Sequence, residues 1–143
     1  MREDNDTIKS FKDLEGKRLA VQAATTGADM AKTVKGAKIT QFDRITDAFL
    51  ELKKGSADAI INDNPVNQYY LARDIGKGLK IVGDLLSSEY YGIAVPKGKP
   101  ELLEKINEAL VKLKENGKFD EIYRKWFGVD APAELPKDYV SGQ

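Results

Sequence analysis

Two short polar segments contain the residue types best suited to binding a small molecule. The first, Gln22-Ala23-Ala24-Thr25-Thr26-Gly27, follows an apolar run and opens a helical pattern, and free N–H groups and hydroxyls at a helix start suit an anion such as a carboxylate. The second, Asn62-Asp63-Asn64-Pro65, follows another apolar run, and Asp63 could accept hydrogen bonds from an ammonium group. Simpler roles stay open: a helix cap for a threonine in the first segment, and an Asx-turn or cap for Asp63.

The elements that must position these segments follow from the hydrophobic pattern. Short apolar runs alternate with stretches of 3.6-residue period, which predicts an α/β fold with a mostly parallel sheet flanked by helices. Two amphipathic helices, separated by Asn116-Gly117, are predicted to close the chain. The predicted strands are residues 18–22, 39–42, 57–61, 79–82 and 92–95, and the helices between them are residues 26–35, 44–54 and 65–75, with Asp43 and Asn64 as caps.

The parallel sheet predicts where the two polar segments meet. In an open parallel sheet, ligands collect beyond the carboxyl ends of the strands, and both segments directly follow a predicted strand. An anion site and a carboxylate on neighbouring strand ends match the zwitterionic head of a free α-amino acid, which needs one of each. The sequence therefore suggests an amino-acid site, which is a hypothesis about chemistry as well as fold.

Composition excludes several other functions. The 143 residues include no cysteine or histidine, so a disulfide framework, a zinc finger, a thiol nucleophile and a Ser-His-Asp triad are all excluded. Any metal site would be all-oxygen, and we expect no cofactor. The 23 basic and 23 acidic residues give no electrostatic reason to expect nucleic acid or an anionic membrane as partner. The apolar runs are too short for membrane insertion, and the polar residues 1–6 lack the apolar core of a secretory signal.

A phosphorylated receiver domain is the main rival of a different class. Asp63 after the third strand, and Lys97 or Lys99 after the fifth, give a similar layout. A receiver also needs an acidic pair after its first strand to hold Mg²⁺, and this chain has Gln22-Ala23-Ala24 there. The receiver interpretation is therefore disfavoured.

Several longer segments resemble a known family. The chain is similar, over about residues 8–128 in unbroken order, to the polar-amino-acid solute-binding proteins of ABC importers, the type II, family 3 receptors. The matching segments are Phe11-Lys12-Asp13-Leu14-Glu15-Gly16-Lys17-Arg18-Leu19-Ala20-Val21-Gln22, Thr25-Thr26-Gly27, Ala57-Asp58-Ala59-Ile60-Ile61-Asn62-Asp63, Tyr91-Gly92-Ile93-Ala94-Val95-Pro96-Lys97-Gly98, and residues 116–119 and 125–128.

The resemblance implies a function, a partner and a location. A receptor of this family would bind a free polar amino acid such as glutamine or arginine, deliver it to the membrane subunit of an ABC importer, and work in the periplasm or otherwise outside the cytoplasmic membrane. Thr25, Thr26 and Gly27 would contact the ligand carboxylate or side chain, and Asp63 would hold the α-ammonium. Gln22 and Asn62 would help read the ligand side chain. A dehydratase of cyclic aromatic precursors uses the same binding fold, but only Asp63 offers itself as a general acid, so we expect no enzyme.

The resemblance also shows where the chain departs from the family. Members usually have glycine at the position of Ala24. Residues 8–87 resemble the whole second lobe of the two-lobed, flavodoxin-like receptor fold, residues 88–91 a hinge, and residues 92–128 the C-terminal strand and helices of the first lobe. Residues 129–143 form a tail. The N-terminal half of the first lobe has no counterpart, and ligand binding is expected to be weakened.

The apolar faces of the last two helices therefore need another cover. About ten large apolar side chains, each worth ~1.5–3 kcal/mol on burial, cannot stay in water. They either fold back onto the chain's own sheet or are covered in a homodimer, which we favour, a domain-swapped one with a hinge at residues 87–91 being one form. A half-receptor that folds and dimerises without binding ligand is the alternative function.

Overall fold

The computed structural model of the chain describes residues 1–87 and 91–131. The chain divides into two units, one comprising Met1–Leu86 and the other beginning at Ser87. The hinge expected at residues 88–91 lies outside the described residues except for Tyr91, and so does the tail from residue 132 onwards. Each unit is described separately below.

The first unit is built on a three-stranded parallel sheet. Its strands are β1 (Arg18–Gln22), β2 (Lys38–Phe42) and β3 (Ala59–Ile60), in the order β2-β1-β3. Gln22 lies opposite Phe42, and Ala20 opposite Ile60, so the strands end at a common edge. The order 2-1-3 is the start of a doubly wound sheet, which confirms the predicted α/β class.

Three α-helices connect and follow these strands. They are α1 (Thr26–Lys32), α2 (Ile45–Lys54) and α3 (Asn64–Leu71), and short 3-10 helices lie at Phe11–Leu14 and Asp74–Gly76. Helix α2 ends at Gly55, whose φ of 81° is the left-handed conformation that favours glycine at a helix end.

The core lies on both faces of the sheet because side chains alternate along β1. Leu19 and Val21 pack in one apolar cluster with Ala28 and Ala31 of α1, whereas Ala20 packs in a second cluster. That second cluster contains the α2 residues Ile45, Ala48, Phe49 and Leu52. The sheet is thus covered on both sides, and its carboxyl edge is the place where its loops can bind ligand.

The second unit contains two amphipathic helices, α4 (Pro100–Glu115) and α5 (Lys118–Phe127). They contact each other, and Lys114 Nζ lies 2.6 Å from Asp120 Oδ1 at the turn between them. None of their residues is buried. No helix in the described ranges is long and apolar enough to cross a membrane.

Several predicted elements differ from the structure. Residues 79–82 do not join the parallel sheet; Leu79 instead forms an isolated antiparallel bridge with Arg2, and Lys80 N donates to Met1 O. Residues 92–95 form no strand, because a strand needs a partner to complete its hydrogen bonds and the described residues supply none. Both apolar runs were strand-like in composition, but composition alone does not provide a partner.

The predicted helix boundaries also need correction. Asp43 does not cap α2, whose N-cap is Arg44, and α3 begins at Asn64 itself with Asp63 in the N-cap position. Helix α1 ends at Lys32 rather than near residue 35, and α3 ends at Leu71 rather than at residue 75. Polar residues one position apart compete for a cap, and only the backbone conformation decides between them.

Candidate functional site

The turn between β1 and α1 is fixed by the hydroxyl of Thr25. Thr25 Oγ1 donates to the carbonyl of Gln22 at 2.8 Å and accepts from the backbone N–H of Ala28 at 3.2 Å. Thr25 is the N-cap of α1, with an extended backbone. Its hydroxyl therefore serves the fold, as the simpler interpretation of the sequence expected, and Thr26 is the exposed threonine of this turn.

Ala24 has an unusual backbone conformation in the same turn. Its φ of 56° is the only positive φ of a residue other than glycine among the described residues. This left-handed region crowds a Cβ atom against the following carbonyl oxygen, and glycine is the residue that adopts it without cost. Backbone strain thus lies between the two threonines and the end of β1.

The side chain of Gln22 is directed across to the neighbouring strand end. Gln22 Nε2 donates to the carbonyl oxygen of Asp43 at 3.1 Å, and Ala23 N donates to Phe42 O at 2.8 Å. These bonds tie the end of β1 to the loop after β2. The sequence pointed to a role for Gln22 in reading a ligand side chain, and this link to Asp43 was missed, although pairing Gln22 with Phe42 places Asp43 next to it.

Gly27 brings the two polar segments together. A Cβ atom at Gly27 would lie 2.9 Å from the carbonyl oxygen of Ile61 and 3.5 Å from the Cα of Asn62. The first turn of α1 therefore packs directly on the backbone that follows β3. This proximity is the arrangement that the parallel sheet predicted for the segments around Thr26 and Asp63.

The loop after β3 is held by its own amides. Asn67 Nδ2 donates to the carbonyl of Asn62 at 3.0 Å, and Asn67 N donates to the carbonyl of Asp63. Asn62 Nδ2 is buried and has no hydrogen-bond partner in the described part of the chain. Asp63 is partly buried, and its carboxylate makes no capping bond to α3.

A shallow depression runs along α1 beside this loop. It encloses about 480 Å³ and is lined by Phe11, Thr26, Asp29, Met30, Thr33 and Leu86. Thr26 is the one predicted site residue in its lining, so the depression does not coincide with the predicted amino-acid site. In the described ranges no three acidic side chains gather to hold a metal ion.

The strongest electrostatic pairing lies at the opposite edge of the sheet. Arg18 Nη2 donates to Asp58 Oδ1 at 2.6 Å, and Arg18 Nε and its backbone N–H both donate to Asp58 Oδ2. The hydrogen bond from the Arg18 side chain is the main cause that lowers the pKa of Asp58. Because Arg18 begins β1, this pair stabilises the amino edge and leaves the carboxyl edge to the candidate site.

The fold and the loops at its carboxyl edge define a ligand-binding type of α/β domain without a metal centre in its described part. The sequence model of the family described as "Bacterial extracellular solute-binding proteins, family 3" matches residues 2–129, and the chain belongs to this family. The resemblance found in the sequence is thereby confirmed. Members of this family are solute-binding proteins, and the name places them outside the cell.

Similar proteins cover the chain almost completely. The chain is 38% identical over 129 residues to the ABC transporter glutamine-binding protein GlnH of Bacillus subtilis (strain 168), covering 89% of this chain and 46% of that protein. It spans about half the length of the curated relatives that it matches.

Solved structures give the same result. An ancestral arginine-binding protein bound to arginine is 48% identical with a TM-score of 0.72, covering 89% of this chain and 57% of that one. Domain 2 from TmArgBP is 42% identical with a TM-score of 0.56, covering 62% of this chain and 95% of that domain.

Proposed function

We propose that the chain binds a free polar amino acid such as glutamine or arginine as the solute-binding component of an ABC importer. The observation that carries the proposal is the packing of Gly27 on the backbone of Ile61 and Asn62, which places the Thr26 turn beside the loop of Asp63. This arrangement lies in a chain whose relatives are named for binding glutamine or arginine. The membrane subunit of the importer and a location outside the cytoplasmic membrane follow as parts of the same proposal.

In this proposal each site residue has a defined task. The carboxylate of Asp63 receives the α-ammonium of the ligand, and Thr26 with the backbone of Gly27 receives the carboxylate. Thr25 keeps the turn in place through its hydrogen bonds to Gln22 and Ala28. Gln22 and Asn62 contact the ligand side chain after changing partners, since one is bonded to Asp43 and the other is buried.

Affinity in the chain of 143 residues is expected to be lower than in a closed receptor. Ligand pockets bury most of a ligand's surface, and the carboxyl edge of a single sheet contacts only one side of an amino acid. A titration must therefore extend to millimolar ligand, and a method that reports weak binding residue by residue is needed.

The test is a titration of the ¹⁵N-labelled chain with glutamine and with arginine, followed by amide chemical shifts. We expect saturable shifts confined to residues 22–27 and 62–67. Asp63→Ala should abolish them and leave the fold intact, because the carboxylate makes no capping bond. Asp84→Ala, which removes an exposed acidic side chain of the same unit, is the matched control and should bind as the unaltered chain does.

The alternative is a half-receptor that folds and dimerises without binding ligand. The observation that favours self-association is the absence of any buried residue in α4 and α5. A spectrum that does not respond to either amino acid at 10 mM, roughly the upper limit of weak specific binding, would decide for this alternative. The homodimer, in swapped or unswapped form, remains a proposal that is independent of ligand binding.

A further inference from the structure

The hairpin formed by α4 and α5 leaves part of its apolar surface in water. Leu102 and Leu103 at the start of α4 are 46% and 43% exposed, and Ile122 and Trp126 on α5 are 41% and 47% exposed. Ile122 and Trp126 are four residues apart and so lie on one side of their helix. We call Leu102, Leu103, Ile122 and Trp126 the hairpin patch.

The other apolar side of α5 is already used within the hairpin. Phe119, Tyr123 and Phe127 are partly buried, and the ring centroids of Tyr123 and Phe127 are 4.5 Å apart. Lys114 pairs with Asp120 at the closed end of the hairpin, so the two helices run antiparallel from there. The beginning of α4 therefore lies beside the end of α5, which brings Leu102 and Leu103 towards Trp126.

We propose that the hairpin patch is the contact surface of a homodimer in which the hairpins of two copies pack on each other as a four-helix arrangement. This inference rests on the homodimer proposed above and not on amino-acid binding. Two copies of one patch form an isologous interface, in which each residue of one copy meets the equivalent surface of the other. Paired helical hairpins are a common way to bury two such faces.

The area of the patch is sufficient for a stable contact. Large apolar side chains that are close to half exposed present roughly 80–110 Å² each, so the patch offers on the order of 400 Å² per copy. Homodimer interfaces are about 65% apolar, so an interface built around this patch would bury ~1,200 Å² in total. Stable interfaces begin at about that size.

The charges of the hairpin favour a second copy over a strongly charged partner. Residues 100–130 contain six basic and seven acidic side chains, and the whole chain has equal numbers of both. Most of these charges pair within a helix, as Lys118 does with Glu121 and Lys112 with Glu108. A nearly neutral surface neither repels its own copy nor attracts a partner of one sign.

The test combines sedimentation velocity of the full chain from 2 to 200 μM with the fluorescence of Trp126, the single tryptophan. We expect a monomer–dimer equilibrium and an emission that shifts to the blue as the dimer forms. Leu103→Glu and Ile122→Glu should each raise the dimer dissociation constant at least about tenfold, because each places a charge in the contact. Lys105→Gln changes the net charge of α4 by the same amount, removes no apolar side chain and should leave dimerisation unchanged.

Three results would overturn the proposal, and each has a different meaning. A monomer at every concentration with red-shifted emission would refute the homodimer and the patch together. A monomer whose emission is already blue-shifted would show that the patch is covered by the chain's own residues. A dimer that Leu103→Glu and Ile122→Glu do not weaken would keep the homodimer and exclude this surface. The amino-acid titration is read separately, so failure of the patch does not touch the proposed ligand.

Discussion

A Cβ atom at Gly27 would lie 2.9 Å from the carbonyl oxygen of Ile61, closer than carbon and oxygen atoms pack without a bond between them. The atom that it would meet belongs to the backbone after β3 and cannot rotate away as a flexible side chain could. Gly27 is therefore required for the first turn of α1 to rest on the loop that leads to Asp63. The same contact positions both halves of the proposed amino-acid site.

Gly27→Ala is expected to separate the two loops. The methyl group would force the start of α1 away from Ile61, which should lower the free energy of unfolding by about 1–3 kcal/mol. Amino-acid binding should be lost as well. Urea unfolding and the amide-shift titration measure the two effects.

Gly92→Ala is the control for this substitution. A Cβ atom at Gly92 would meet no atom within 4 Å, and Gly92 does not have a positive φ. Its substitution should leave stability and binding unchanged. If Gly27→Ala proves as harmless as Gly92→Ala, the contact with Ile61 does not hold the loops together.

Thr25→Ala should destabilise the protein through the loss of a helix cap. The substitution removes the hydrogen bonds to Gln22 O and from Ala28 N, and an N-cap of this kind is worth about 1 kcal/mol. Thr25→Ser retains the hydroxyl and should recover most of the loss in urea unfolding. Equal stability of the alanine and serine variants would show that the hydroxyl contributes nothing.

The sequence predicted the parts of the fold that depend on local pattern. Strand β1 has the predicted bounds, because Arg18 and Gln22 enclose three apolar residues that alternate between the two clusters. The break between α4 and α5 at Asn116-Gly117 was likewise predicted, since glycine with a φ of 74° ends regular structure. Such signals lie within a few residues of each other.

The elements that were predicted wrongly depend on distant partners. Residues 79–82 have strand-like composition, but Leu79 pairs with Arg2, 77 positions away in the sequence. The proximity of Gly27 to Ile61 was predictable only as far as parallel strands end at one edge. The backbone contact itself, the strained φ of Ala24 and the bond from Gln22 to Asp43 required coordinates.

Asp58 should make stability depend on pH through its hydrogen bonds with Arg18. These bonds lower the pKa of Asp58 in the folded chain, whereas the unfolded chain retains the ordinary value, about 3.9. Between these two pKa values the unfolded state binds more protons, so the stabilisation is complete above the ordinary pKa and is lost as the pH falls through the folded pKa. Asp58→Asn should cost about 1–2 kcal/mol at pH 7, and less as the pH is lowered to 3.

The measurement is the difference in unfolding free energy between the unaltered chain and Asp58→Asn at pH 7 and at pH 3. Asp29→Asn is the control, because Asp29 forms an exposed pair with Lys32 three residues away and should cost less than about 0.5 kcal/mol. A cost for Asp58→Asn that is the same at both pH values would mean that the charge of Asp58 is not what stabilises the amino edge.

Ala24→Gly should stabilise the chain, although glycine usually destabilises. The φ of 56° at Ala24 costs about 1 kcal/mol for a residue with a Cβ atom, and glycine relieves that cost while adding some unfolded-state entropy. The expected net gain is about 0.5 kcal/mol in urea unfolding. Ala23→Gly is the matched control, because Ala23 does not have a positive φ and should lose about 0.5–1 kcal/mol. Two substitutions of one type at adjacent positions should therefore have opposite signs. A loss at both positions would show that the turn before Thr25 carries no strain, and that the methyl group of Ala24 can be accommodated beside the proposed site without cost.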